Sequence, residues 1–216
     1  MIIRLSETHS LVGQWLSEIR DVSVQGDRMR FRRNLERFGE VAAFEISKQL
    51  EWVPREITTP LGVAICHTLR SQPVIATILR AGIPLQQGLL NYFDQADGAF
   101  VSAYRHHPGD DSFQIVQEYV SGPPLEGRVL ILADPMLATG ASMVRAIRSL
   151  REAGEPRAIH VVAAIATTSG LEAVQAEGEK ILIWAGDIDE QLNARGYIVP
   201  GLGDAGDLAY GPKFSN

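Results

Sequence analysis

Val129 to Leu150 reads VLILADPMLATGASMVRAIRSL. Val129 to Ala133 is an uninterrupted apolar run, as a strand buried on both faces of a parallel sheet requires, and Asp134-Pro135 breaks it. Met143, Val144, Ile147 and Leu150 then recur at helical spacing, so the stretch predicts strand, loop, helix. Between the two elements lies Ala138-Thr139-Gly140-Ala141-Ser142, small residues and two hydroxyls at the point where free N–H groups and the positive end of a helix dipole face outward. That is the local chemistry of an anion site, most naturally for a phosphate. Gly140 lets backbone approach a ligand, Thr139 and Ser142 add hydroxyl donors, and Asp134 is placed to hold sugar hydroxyls or a hydrated metal. A phosphorylated sugar meets all of these demands. Taken alone, the loop reads equally well as an ordinary βα turn with a hydroxyl cap.

A second stretch has the same design. Pro73 to Leu79, PVIATIL, runs into Arg80-Ala81-Gly82 and then a helix marked by Leu85, Leu89 and Leu90. An arginine held at a strand's carboxyl end can place a fork of donors on pyrophosphate; a surface arginine in a βα turn gives the same pattern. Ile159 to Ala166 and Ile181 to Trp184 add two apolar strands around a short helix near Leu171 to Ala176. Alternating strand and helix predict an α/β fold, a doubly wound and mainly parallel sheet flanked by helices, with ligands at the carboxyl ends of the strands.

The segment Leu132-Ala133-Asp134-Pro135-Met136-Leu137-Ala138-Thr139-Gly140 resembles the phosphoribosyl pyrophosphate (PRPP) motif of type I phosphoribosyltransferases, in the form carried by the uracil phosphoribosyltransferase branch. Ala141 stands where that branch often has a second glycine. Beside this motif, Leu79-Arg80-Ala81-Gly82 looks like the family's pyrophosphate loop, and the resemblance implies a cis peptide between Leu79 and Arg80. Arg105, after Tyr104, matches a further pyrophosphate contact of the family, but Asp111 to Val116 does not reproduce the family's pattern. Near the end, Tyr197-Ile198-Val199-Pro200-Gly201-Leu202-Gly203-Asp204-Ala205-Gly206-Asp207 looks like the family's uracil-binding loop. The resemblance carries base binding onto Ile198, Gly203, Asp204 and Ala205, and contact with PRPP and its Mg²⁺ onto Asp204. It assigns the PRPP site to Asp134 through Ser142 with Arg80, Arg105 and Asp204, and the catalytic set to Asp134, Arg80, Arg105 and Asp204. Leu208 replaces a basic residue common in relatives.

Read without the resemblance, that tail is a glycine-dense loop able to press N–H and C=O groups against a small planar ligand. Gly201, Gly203 and Gly206 satisfy Gly-x-Gly-x-x-Gly, but too few residues follow for a dinucleotide-binding crossover. Backbone recognition suits uracil, whose O4 needs a donor and N3–H an acceptor; cytosine reverses the pair. Two other readings stand beside a uracil enzyme: a phosphoribosyltransferase for another base, and a nucleotide-sensing RNA-binding regulator of the same fold.

Composition narrows the rest. The chain has 216 residues, 45% hydrophobic and 21% charged, enough for one domain with a substantial core. A net charge of −6 argues against a general nucleic-acid or membrane binder, so anion recognition has to be local. One cysteine, Cys66, leaves no intramolecular disulfide; its apolar neighbours predict a buried thiol, and the default compartment is a reducing cytoplasm. Neither a signal peptide nor a long apolar span is expected.

Leu11, Val12, Trp15, Leu16 and Ile19 mark one helix face, and Asp27 caps a second helix of Phe31, Leu35, Phe38, Ala42 and Ile46. Arg28, Arg30, Arg32, Arg33 and Arg37 crowd that helix's start, as a nucleotide or RNA site, a solvated face or a subunit contact. Pro60 to Leu69 predicts a third helix. Ala99 to Tyr104 and Phe113 to Tyr119 read as strands joined by a polar connection from His106 to Asp111, a hairpin that with the C-terminal loop forms a hood or flap. His106 and His107 lack a convincing third metal ligand. Residues 1–216 thus divide into N-terminal helices to about 70 for packing and oligomerisation, a core from about 71 to 190, and a base-binding loop from about 191. The expected partners are PRPP and uracil, with Mg²⁺ as cofactor, GTP as a possible effector and a homodimer or homotetramer as the assembly.

Overall fold

The computed structural model describes residues 1–106 and 114–213, and for 103–106 and 114–118 it describes the backbone alone. In chain order the elements are β1 (Ile2–Arg4), α1 (Leu11–Arg20), α2 (Arg28–Ser47), β2 (Trp52–Thr59), β3 (Gly62–Leu69), β4 (Val74–Leu79), α3 (Ile83–Tyr92), β5 (Asp97–His106) and β6 (Gln114–Ser121). They continue as β7 (Val129–Ala133), β8 (Met136–Leu137), α4 (Ala141–Arg151), β9 (Ala158–Thr167), α5 (Thr168–Gln175), β10 (Ile181–Asp189), β11 (Gln191–Leu192), β12 (Ile198–Val199) and α6 (Ala205–Tyr210).

The main sheet runs β1-β10-β9-β7-β4-β5-β6, with β8 also paired to β9. All its pairings are parallel except that of β5 with β6, the expected edge hairpin. The apolar runs explain the layering. On β7, Val129, Ile131 and Ala133 face a core shared with α1, α2 and α3, while Leu130 and Leu132 face a second core under α4 and α5. A period of two with both faces apolar fits only a strand covered on both sides. Each fully buried Leu or Ile contributes about 1.5–3 kcal/mol, which fixes β7 at the sheet's centre. Asp27 caps α2 as expected, its carboxylate accepting from the Arg30 N–H at 3.1 Å.

Residues 52–69 depart from the expected pattern. The helix predicted over Pro60 to Leu69 is the strand β3, paired antiparallel with β2 from Trp52↔Leu69 to Thr59↔Gly62. Val63, Ile65 and Thr68 are β-branched, and the complementary strand before them decides the pairing. Cys66, expected to be buried, is exposed, because no layer among the described residues covers this two-stranded ribbon. The connection from His107 to Asp111 and the side chains of Arg105 and His106 lie outside the described residues. No helix among the described residues is long and apolar enough to cross a membrane.

Candidate active site

The phosphate loop is built on β7 and stapled to β9. After Ala133, the Asp134 N–H donates to the Val162 carbonyl at 3.1 Å, and the Ile165 N–H donates to the Pro135 carbonyl at 3.0 Å. The Asp134 carboxylate accepts from the Met136 N–H at 3.2 Å, which tightens the turn that Pro135 begins. Thr167 then supports the loop from below: its hydroxyl donates to the Ala138 carbonyl at 2.6 Å while accepting from Gly170 N–H at 3.0 Å. Gly140 is the N-cap of α4 at φ +78°, and a Cβ there would lie 2.8 Å from Ala173 Cβ and 3.0 Å from the Gly170 carbonyl. Glycine is therefore required twice, by its left-handed backbone and by its contact with α5. Ala141 opens α4 with a negative φ, so the family's second glycine is dispensable at this position. Asp134, Thr139, Gly140, Ala141 and Ser142 line one concavity of about 30 Å³. The first turn of α4 carries no acidic side chain, leaving the helix's positive end uncompensated toward that hollow.

The second loop leaves β4, the neighbour of β7. The peptide between Leu79 and Arg80 is cis, as expected. A Cβ on Gly82 would fall 2.1 Å from Thr77 Oγ1 and 2.8 Å from the Ala133 carbonyl, so the two loops touch at the carboxyl edge of the sheet. Thr77 links them, its hydroxyl donating to the Ala133 carbonyl at 3.2 Å. Arg80 Nη2 donates to Asp207 Oδ1 at 3.2 Å and to the Gly211 carbonyl at 3.3 Å.

Asp207 and Gly211 belong to the C-terminal segment, which is folded rather than trailing. β12 pairs with β11, Ile198, Leu202, Ala205 and Ala209 are buried, and Asp204 caps α6 by accepting from the Asp207 N–H at 3.0 Å. Asp204 Oδ2 also lies 3.8 Å from Lys213 Nζ. From α2, Arg32 donates to the Ala209 carbonyl at 2.7 Å and lies over the Tyr210 ring. Burial pushes the Tyr210 hydroxyl pKa up, against the opposing pull of Arg32 and Arg80. Farther back, Arg20 at the end of α1 and Asp189 at the end of β10 both bond the Gly201 peptide. Burial alone would raise the Asp189 carboxyl pKa, but the bonds from Arg20 and Gly201 outweigh it and hold it below the usual carboxylate range.

Asp134, the 138–142 loop and Arg80 thus share one edge of the sheet, and the Arg80–Asp207 contact joins Asp204 and Ala205 to that edge. Arg105 sits on β5 opposite Ile115 in register. Sequence reasoning missed Thr167, Gly170, Arg20 and Asp189, and the roles of Arg32 and Asp207. Only Thr167 carried a local signal, a hydroxyl followed by Thr168-Ser169-Gly170 at the start of a helix. Most of the arginine cluster is taken up within the chain: Arg30 pairs with Glu18, Arg33 with Glu36, and Arg37 lies over Trp15. A larger concavity of about 510 Å³ between α1 and α2 includes Glu18, Asp21 and Asp27 in its lining, which suits a phosphate poorly, so the smaller hollow at the sheet edge is the better anion site.

A family model described as Uracil phosphoribosyltransferase matches residues 6–212. A uracil phosphoribosyltransferase of Porphyromonas gingivalis is 48% identical over 213 residues, covering 98% of this chain and 99% of that protein. One from Methanococcus maripaludis is 38% identical over 202 residues, covering 92% and 85%. Among solved structures, the AQ2163 protein from Aquifex aeolicus superposes with a TM-score of 0.87 at 29% identity, covering 98% of each chain. Orotate phosphoribosyltransferase from Mycobacterium tuberculosis, in complex with PRPP, gives 0.52 at 14% identity over 84% of this chain and 91% of that one, a likeness of fold.

Proposed function

The chain belongs to the uracil phosphoribosyltransferase family, and on that premise we propose that it transfers the 5-phosphoribosyl group of PRPP to uracil, giving UMP and pyrophosphate. The observation that carries the reading is the meeting of both βα loops and the C-terminal loop around Arg80. In this reading the N–H groups at the start of α4, with Thr139 and Ser142, receive the 5-phosphate. Asp134 receives ribose hydroxyls, and Pro135 to Ala138 form the wall of the pocket. Arg80 and Arg105 receive pyrophosphate. The exposed Arg80–Asp207 ion pair is worth about 0–1 kcal/mol, so a pyrophosphate group displaces it at little cost. Uracil lies against Ile198, Gly203, Asp204 and Ala205.

Uracil N1 attacks ribose C1 as the C1–O bond to pyrophosphate breaks, and the N1 proton passes to water. No covalent nucleophile is needed. The chain's part is to align base and sugar and to place cationic donors where negative charge gathers on the leaving group. The Asp204 carboxylate, whose Oδ1 caps α6 while Oδ2 takes no part in the cap, would be the chain's hard oxygen ligand for an Mg²⁺ otherwise held through PRPP and water, and the ion would supply further charge neutralisation on the leaving group.

The same reading extends to the assembly and setting. Leu61, Val63 and Ile65 are exposed on the β2–β3 ribbon, and a lone two-stranded ribbon is marginal in water, so a second copy of this chain is its natural cover in a homodimer or homotetramer. One exposed free thiol suits a reducing cytoplasm. GTP as an effector rests on family resemblance, and rates measured with and without GTP test it. For the reaction itself, the test is incubation of the chain with labelled uracil, PRPP and Mg²⁺. UMP and pyrophosphate in equal amounts support the assignment, and absence of UMP overturns it.

A further inference from the structure

Arg20 and Asp189 face each other as a fork. Nη1 meets Oδ2 at 2.8 Å and Nη2 meets Oδ1 at 2.8 Å. The pair also holds both polar groups of one residue in the C-terminal loop: Arg20 Nη1 donates to the Gly201 carbonyl at 3.0 Å, and the Gly201 N–H donates to Asp189 Oδ2 at 2.9 Å. Asp189 is only 7% exposed. Arg20 also reaches Asp187 at 3.1 Å, and Asp187 pairs with Arg4 at 2.7 Å, so two arginines and two aspartates balance. The reach is long, from the end of α1 to a turn near the other end of the chain, and nothing in the chemistry described above uses it.

We propose that Arg20 and Asp189 are positioning residues for base recognition, a clamp that holds the Gly201 peptide and thereby presets the 203–205 backbone against uracil. The proposal rests on the reading of Ile198, Gly203, Asp204 and Ala205 as the base site. Gly201 is the point where such a clamp has most effect. It has φ +54°, and a Cβ there would lie 2.1 Å from the Ile198 carbonyl, so the turn closes on the very residue that begins the base site. Two residues later the chain reaches Gly203, where no atom of the described residues beyond its two chain neighbours lies within 4 Å of a Cβ position. A site that reads a base through backbone groups has no side-chain rotamers to correct a displaced loop, so its geometry must be fixed beforehand. A clamp made of a bidentate charge pair whose carboxylate is buried supplies that rigidity.

The test compares Asp189→Asn and Arg20→Lys with the unaltered chain. Uracil kinetics are measured at saturating PRPP, and PRPP affinity separately by calorimetry. Asparagine puts an amide donor where two acceptor oxygens served Arg20 and Gly201; lysine keeps the charge but loses the fork. If the clamp sets the fraction of chains with a competent loop, the uracil KM rises by about tenfold or more in Asp189→Asn, in proportion to the fraction lost, and by less in Arg20→Lys. PRPP affinity falls by several-fold less than the uracil KM rises, since the 134–142 loop is anchored on β9 and only Asp204 carries the displacement to PRPP. An unchanged uracil KM in both variants overturns the proposal, and so does parallel weakening of uracil and PRPP, which a merely structural pair predicts. Gly203→Ala separates this from failure of the base site itself. If it raises the uracil KM while the clamp variants do not, the clamp alone is wrong; if it too has no effect, the base-site reading falls first.

Discussion

His160 gives the chain a pH-dependent stability that can be calculated. It sits on β9, 3% exposed, with its Nδ1 accepting a hydrogen bond from Trp184 Nε1 at 3.0 Å and the two rings stacked at 6.1 Å. Nδ1 can accept only in the neutral imidazole, and burial lowers the pKa from 6.5 to about 4. The folded value is thus below the unfolded one, so the unfolded chain takes up the proton first as pH falls. The His160 contribution is complete above pH 6.5, declines between 6.5 and about 4, and levels off below that. At 1.36 kcal/mol per unit, that interval corresponds to about 3 kcal/mol. Urea unfolding at steps from pH 7.5 to 4 should therefore show a steep loss in the natural chain. In His160→Gln, which keeps an acceptor for Trp184 without a titrating group, the loss should be smaller by about 3 kcal/mol. The difference between the two curves removes the shared carboxylate titrations. Parallel curves would refute the argument.

Three further outcomes follow from the site. Thr139→Val keeps size and deletes a hydroxyl, so PRPP affinity should fall by about 1–3 kcal/mol with folding nearly unchanged; an unaltered dissociation constant in calorimetry removes Thr139 from the site. Asp204→Asn should lower turnover by about tenfold or more, each ~1.4 kcal/mol of transition-state stabilisation being tenfold. Its melting temperature should hardly move, because asparagine caps α6 as well as aspartate does; wild-type turnover across Mg²⁺ concentrations would sink that role. Gly140→Ala should cost about 2–5 kcal/mol in denaturant unfolding, the sum of a left-handed alanine and a Cβ forced to 2.8 Å from Ala173, and a loss below about 0.5 kcal/mol would contradict the packing described.

The doubly wound sheet was legible because its strands are buried on both faces. Runs such as Val129–Ala133 and Val74–Leu79 have only one stable environment, and the breaks after them mark the loops. The residues proposed for phosphate and base could be named from sequence for a different reason: Asp134 to Ser142 and Ile198 to Asp207 are contiguous stretches, so the family resemblance covers them without the fold. The ribbon at 52–69 was hidden because its stabilising partner is another strand, and the spacing of Leu61, Ile65 and Leu69 fits a helix as well. Arg20 and Asp189 were hidden for a deeper reason. Each is unremarkable among its neighbours, and only tertiary structure brings a helix end, a strand end and a glycine turn to one point. Thr167 shows the intermediate case, a recognisable helix cap whose second bond, to Ala138, depends on the fold.

In the proposed phosphoribosyl transfer, peptide groups of the 198–205 loop select uracil. The most direct measurement is kcat/KM for uracil against cytosine at saturating PRPP and Mg²⁺. Cytosine presents a donor and an acceptor where the fixed peptides need the reverse, and a site built to hydrogen-bond its substrate rejects such a mismatch by about 10⁴-fold or more. A uracil preference of that order is the predicted result; cytosine used within about tenfold of uracil would contradict the claim.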